Sequence, residues 1–136
     1  MESNLNVEYI DYSSLWFGII NKMALPPQRR GKFILIANGR NRWAVFSPTE
    51  LSKYHANIAE RFCHEHTIAG AYNVTNTHYH IHDNQWQILG GGKWEADDEQ
   101  GLMVIYGSSD AYGRVDLEWL AKQLKDKGLF VNVFVH

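Results

Sequence analysis

The sequence predicts a single α/β domain spanning residues 1–136, with a mixed β-sheet of about five or six strands and two main helices packed on it. Three observations lead there. The length of 136 residues suits one domain with a real core, and 45% hydrophobic residues with abundant aromatics supply the apolar surface to build it. Apolar segments also follow one another in the order strand, strand, helix, strand, strand, helix, strand, with no internal repeat or linker between them.

Taken in order, Asp11–Met23 has the spacing of a short amphipathic helix, with Ser13 or Ser14 as cap, Leu15, Trp16, Ile19, Ile20 and Met23 as its apolar face, and Pro26-Pro27 ending it. Phe33–Ile36 and Trp43–Phe46 are apolar runs around an Asn38-Gly39 turn signal. Lys32–Phe46 therefore predicts a hairpin with a loop of four or five residues. Ser47-Pro48-Thr49-Glu50 combines an N-cap serine, a proline at the first helical position and a capping-box glutamate, and so predicts a helix start. Leu51, Tyr54, His55, Ile58 and Phe62 then form one stripe at helical spacing, which turns His55 toward the core or a pocket beside it. Glu65–Asn84 has no clear period.

Gln85–Leu89 leads into Gly90-Gly91-Gly92-Lys93, where successive glycines predict a bulge or a close backbone approach, with Lys93 carried at the kink. Glu95–Gln100 is an acidic turn, and Leu102–Tyr106 is the next strand. Leu117, Leu120, Ala121 and Leu124 make a second helical stripe. Asp116 and Glu118 lie early in it, Lys125 and Lys127 late, and Gly128 suits the position just past its end. Leu129–Val135 is apolar on both faces and predicts a central or covered final strand.

Charge and composition narrow the function. Thirteen basic against fifteen acidic residues give a formal charge of −2, which offers no general field for nucleic acid. Gln28-Arg29-Arg30 and Arg40-Asn41-Arg42 are local clusters able to meet a phosphate. No apolar run approaches the ~20 residues of a membrane helix. The polar N-terminus and single Cys63 fit a reducing, cytoplasmic setting without an internal disulfide.

Three places can carry chemistry. Tyr106-Gly107-Ser108-Ser109-Asp110-Ala111-Tyr112-Gly113 follows an apolar strand with small residues. It reads either as an ordinary connecting loop or as a cradle in which backbone N–H groups and serine hydroxyls hold an oxyanion or phosphate. His55 is either a satisfied boundary residue or a proton acceptor near neutral pH. His78, His80 and His82 share one face if the segment is a strand. They are either a polar strand face or imidazole ligands for zinc, nickel or copper, with His64 or His66 available as further ligands.

Lys32-Phe33-Ile34-Leu35-Ile36, Lys53-Tyr54-His55-Ala56-Asn57-Ile58, Leu89-Gly90-Gly91-Gly92-Lys93 and Tyr106–Gly113 occur in the order and approximate spacing of the janus/ocnus family, which includes the protein histidine phosphatases. The resemblance runs from Lys32 to the C-terminus, leaving residues 1–31 as an N-terminal extension and the histidine-rich segment as a second addition. It implies a phosphohistidine phosphatase needing no metal or cofactor, acting on a phosphohistidine-containing protein or a small phosphorylated substrate. The family's catalytic histidine falls on His55, its substrate-contacting lysine on Lys32, and its phosphate-binding loop on Ser109, Asp110 and Ala111.

The chain departs from the family pattern in three places. Lys93 stands where an arginine commonly follows the glycines, keeping charge but losing the bidentate fork. Ser47 replaces a further arginine, and Asp110 puts a carboxylate into the phosphate loop. These departures define a second reading, a phosphate-binding or regulatory module without catalysis. A metal protein built on the histidine array is the third.

Overall fold

A computed structural model describes residues 5–136, and its architecture is mixed α/β. Asn6–Asp11 (β1) pairs in parallel with Asn41–Pro48 (β3). Gln28–Asn38 (β2) lies antiparallel to β3 on one side and to Trp86–Asp97 (β6) on the other. Leu102–Tyr106 (β7) follows antiparallel to β6, and Asn132–Val135 (β8) closes the far edge in parallel to β7. The order is β1-β3-β2-β6-β7-β8. A separate two-stranded hairpin, Gly70–Tyr72 (β4) and Tyr79–Ile81 (β5), occupies the histidine-rich stretch.

Strand alternation sends β2 side chains to two cores. Ile34 and Ile36 pack with Val45 against Ala56, Ile58, Ala59 and Phe62 of the helix His55–Glu65 (α1). Phe33 and Leu35 pack with Phe46, Trp94 and Met103 against Leu120, Ala121 and Leu124 of the helix Leu117–Asp126 (α2). Each helix thus covers part of one sheet face. The predicted second helix is well founded, with the Asp116 side chain accepting from Trp119 N–H at 3.1 Å and Gly128 at φ +76° just past the end. Among the described residues no helix is long and apolar enough to cross a membrane.

Four local expectations are corrected. The Asp11–Met23 helix is instead the end of β1 followed by a π-helical segment, Ser14–Ile20. Tyr12 N–H donates to Phe46 O at 2.9 Å, which ties the chain to the sheet, and Phe17 becomes the buried anchor while Ile19, Ile20 and Met23 face outward. The segment ends before Pro26-Pro27, and Ser13 occupies the cap position without a side-chain bond.

The Ser47-Pro48-Thr49-Glu50 signature does not start a helix. Ser47 lies opposite Lys32 in β3, so its backbone belongs to the sheet, and its buried Oγ sits 2.7 Å from Ser52 Oγ. Leu51 and Ser52 N–H groups donate to Pro48 O in a turn, and α1 begins only at His55. Capping chemistry without free backbone ahead of it yields a turn.

The hairpin loop is also tighter than predicted: Asn38 pairs with Asn41, leaving Gly39 and Arg40 as a two-residue turn with Gly39 at φ +59°. Finally, the last strand is an edge and not a central strand. Its single neighbour is β7, and Val131 and Phe134 remain 70% and 53% exposed.

Candidate functional site

His55 is placed by the start of α1, where Tyr54 N–H donates to Asn57 Oδ1 at 2.9 Å. Only 7% of the residue is exposed. Its Nε2 lies 2.9 Å from Gly92 O. A carbonyl oxygen only accepts, so Nε2 carries the proton, and the neutral ring keeps a lone pair on Nδ1.

The glycine triplet makes this approach feasible. A Cβ on Gly91 would stand 2.5 Å from Phe33 O, 3.0 Å from His55 Cδ2 and 3.3 Å from Ser109 Cβ. His55 and Ser109 therefore share the space that a side chain would fill. Register slips between Leu35 and Ile36 as they pair with Gly90 and Ile88, so Leu89 is the extra residue of the predicted bulge.

Electrostatics favours the neutral imidazole. Burial lowers the His55 pKa below its ordinary value of 6.5, the bond to Gly92 raises it, and Lys32 lowers it; Asp110 raises it and Lys93 lowers it as smaller influences. Lowering prevails. The ring is thus available to take a proton at neutral pH.

The Tyr106–Gly113 segment is a tight loop closed by Ser109 N–H donating to Gly113 O at 3.0 Å and Gly113 N–H to Ser109 O at 2.8 Å. Gly107 and Gly113 take φ of +74° and +86°. Ser109 is 3% exposed, and its Oγ accepts from Tyr112 N–H at 3.1 Å. Of the three loop residues singled out from sequence, Ser109 thus has its N–H engaged within the loop. Among the described residues, the N–H groups of Asp110 and Ala111 donate to no other group of the chain, and both residues line the cleft.

That cleft, about 690 Å³, brings together Lys32, His55, Lys93, Asp110 and Ala111. It also contains Tyr106, from the start of the predicted loop segment, and Lys53 and Thr77, to which the sequence assigned no role. Lys53 Nζ lies 5.3 Å from the Tyr54 ring centroid. No sequence signal marked Thr77, which arrives because β4–β5 is pinned to the loop: Tyr79 N–H donates to Tyr112 Oη and Tyr112 O–H to Tyr79 O, each at 2.9 Å. The arginine clusters serve elsewhere. Arg29 is buried in an ion pair with Asp98 at 2.6 Å, and Arg42 Nη1 donates to Gly39 O at 2.7 Å.

Lys32 and Lys93 are direct cross-strand partners. Like charges placed so are mutually destabilising by a few tenths of a kcal/mol up to ~1 kcal/mol, and an anion between them removes that cost. Lys93→Gln is accordingly expected to stabilise the ligand-free chain slightly while weakening its affinity for inorganic phosphate. Thermal unfolding with and without phosphate checks the opposite signs.

Among the described residues no three His, Cys, Asp or Glu side chains are grouped to hold a metal ion. His78 and His80 do share a side of the β5 segment, but their rings stack at 4.2 Å between centroids and His78 also packs on Tyr112 at 4.6 Å. His78 and His80 thus pack against each other and the loop, while His82 is exposed. Cys63 is buried, and burial pushes its thiol up to about 11, which leaves it a core residue and not a nucleophile.

A neutral imidazole, cross-strand lysines and unengaged loop N–H groups thus meet at one cleft. The Janus/Ocnus family (Ocnus) model matches residues 20–130, and the chain belongs to this family. The match takes in residues 20–31 of the N-terminal stretch and runs through the whole histidine-rich segment. No curated protein matches the chain.

Proposed function

We propose that this Janus/Ocnus protein is a phosphohistidine phosphatase in which His55 is the general base, and the observation that carries the reading is the His55 Nε2 to Gly92 O bond. With Nε2 fixed as donor, Nδ1 accepts a proton from water as that water attacks phosphorus. A P–O bond forms and the P–N bond to the substrate imidazole breaks, with the leaving nitrogen protonated from solvent. Lys32, Lys93 and the N–H groups of Asp110 and Ala111 hold the phosphoryl oxygens, and Ser109 keeps the loop in shape. No metal or cofactor enters the scheme, and a reducing cytoplasm is the setting it takes.

Asp110 favours a second reading. It lines the cleft, and the ion pairs among the described residues, Arg29 with Asp11 and Asp98 and Lys122 with Asp126, include none of the cleft's charges. An unpaired carboxylate beside a phosphoryl group weakens its binding, as suits a module that binds phosphate without turning it over. Phosphate release from a phosphohistidine peptide in EDTA separates the two. The phosphatase reading expects turnover unaffected by chelator; binding of inorganic phosphate with no release assigns the silent module. Under either reading Asp110→Asn is expected to tighten phosphate binding.

A further inference from the structure

The two faces of the sheet are unequally covered. α1 lies over β2 and β3 on its side, whereas α2 lies over β7 and β8 on the other. Strand registers therefore leave a bare area on the α1 side: Lys32 pairs with Lys93 and through it Tyr106, Arg30 with Glu95 and through it Val104, Gln28 with Asp97 and through it Leu102. Residues between these rows, such as Gly31, Trp94, Ala96, Met103 and Ile105, are buried on the α2 side. The outward rows are exposed or half-buried, and Phe134, opposite Val104, extends the area across β8.

This bare face begins inside the cleft. Lys32, Lys93 and Tyr106 line the anion site, and the next two rows line a groove of about 740 Å³ that is walled by Thr49 and Glu50. Its floor is amphipathic, with Leu102 and Val104 beside charged side chains. Its charge changes sign along the strands. The cleft end carries Lys32, Lys53 and Lys93 against Asp110; the far end carries Glu50, Glu95 and Asp97 against Arg30 and the buried, ion-paired Arg29.

We infer that this groove is the docking surface for the polypeptide that carries the phosphorylated residue, and that it selects a chain with basic side chains near the phosphoryl group. The inference rests on the phosphoryl-site reading above. A ligand that places a dianionic group between Lys32 and Lys93 lays its flanking chain along β6 and β7, where Glu95, Asp97 and Glu50 face cations favourably and Leu102 and Val104 cover apolar stems. Along an extended strand Lys93 to Glu95 is roughly 7 Å and Lys93 to Asp97 roughly 13 Å, so the favoured basic residues stand about two to four positions from the phosphorylated one. A small free phosphoryl compound fills the cleft without reaching the groove. A polypeptide uses both.

The test compares two synthetic peptides, each bearing a hydrolysis-resistant phosphonate analogue of phosphohistidine, one flanked by lysines and the other by glutamates, with inorganic phosphate as the small probe. On the full chain the lysine peptide is expected to bind about fivefold more tightly, the size of a pair of exposed ion pairs, and to shift the amides of Glu95 and Val104 as well as those of the cleft. In an Asp97→Asn chain the lysine preference shrinks by about twofold while the dissociation constant for inorganic phosphate stays within about twofold of its original value, since Asp97 stands roughly 13 Å along the strand from Lys93, more than a Debye length. Equal affinities of the two peptides, or peptide shifts confined to the cleft, overturn the inference. If the lysine peptide shifts Glu95 and Val104 but neither it nor inorganic phosphate shifts Asp110 and Ala111, the docking surface stands and the phosphoryl-site reading fails.

Discussion

Replacing His55 with alanine is expected to lower phosphate release from a phosphohistidine peptide by about 10²–10⁴, the contribution of a positioned general base. The fold should survive. His55 sits at the first position of α1, with Ala56, Ile58, Ala59 and Phe62 making the helix contacts that hold it to the sheet. Truncating the ring removes its bond to Gly92 O and some packing, a loss of roughly 0.5–3 kcal/mol. Turnover and thermal unfolding measured on one preparation separate the two effects. Turnover at the wild-type level in a folded His55→Ala chain removes His55 from the mechanism, whereas a chain that cannot fold makes the histidine a core residue first.

Gly91→Ala is expected to damage stability and site together. The added Cβ would meet Phe33 O at 2.5 Å, and that oxygen belongs to the central strand pair β2–β6, which has no room to retreat. Overpacking against backbone of this kind costs about 3 kcal/mol, or roughly 10 °C in Tm for a chain of this size. The same methyl would press on His55 Cδ2 at 3.0 Å and shift the ring from Gly92. Gly39→Ala serves as the comparison, because there a Cβ meets nothing within 4 Å and only the positive φ of +59° opposes it, a cost of about 1 kcal/mol. A Gly91→Ala chain with unchanged Tm and unchanged phosphate affinity contradicts the packing described here.

Where sequence reasoning succeeded, local pattern and global packing agreed. The apolar run Phe33–Ile36 predicted a strand, which the structure buries on both faces, Asp116 and Gly128 bounded α2, and the glycine triplet marked the bulge and close approach that admit His55. The His55, Lys32 and Asp110-Ala111 grouping was legible as separate segments, and the sheet register brings them to one cleft.

The failures have a common cause in pairing between distant segments. Ser47-Pro48 carries good capping chemistry, but Ser47 is held opposite Lys32 by the sheet, so the signature closes a turn instead. Asp11–Met23 has helical spacing, but β1 and Tyr12 bind to β3 and leave only a short π-helical segment. Leu129–Val135 is apolar on both faces yet forms an edge, because apolar composition says nothing of how many neighbours a strand finds. Lys53 and Thr77 were invisible as cleft residues for the same reason: their place depends on the turn before α1 and on the Tyr112–Tyr79 bonds, neither of which has a local signature.

Gly92 O holds the His55 ring through Nε2 and leaves Nδ1 without a partner among the described residues. Because folding lowers the His55 pKa, the folded chain binds fewer protons than the unfolded one between that lowered value and 6.5; the stability linked to His55 is full above 6.5 and is lost as pH falls through the window. Nitrogen NMR of the imidazole through a pH titration reads the tautomer and the titration at once. The expected result is a neutral ring protonated on Nε2 at pH 7, titrating below 6.5, with Nδ1 responding to inorganic phosphate. A ring protonated on Nδ1 at neutral pH, or one titrating above 6.5, contradicts the account.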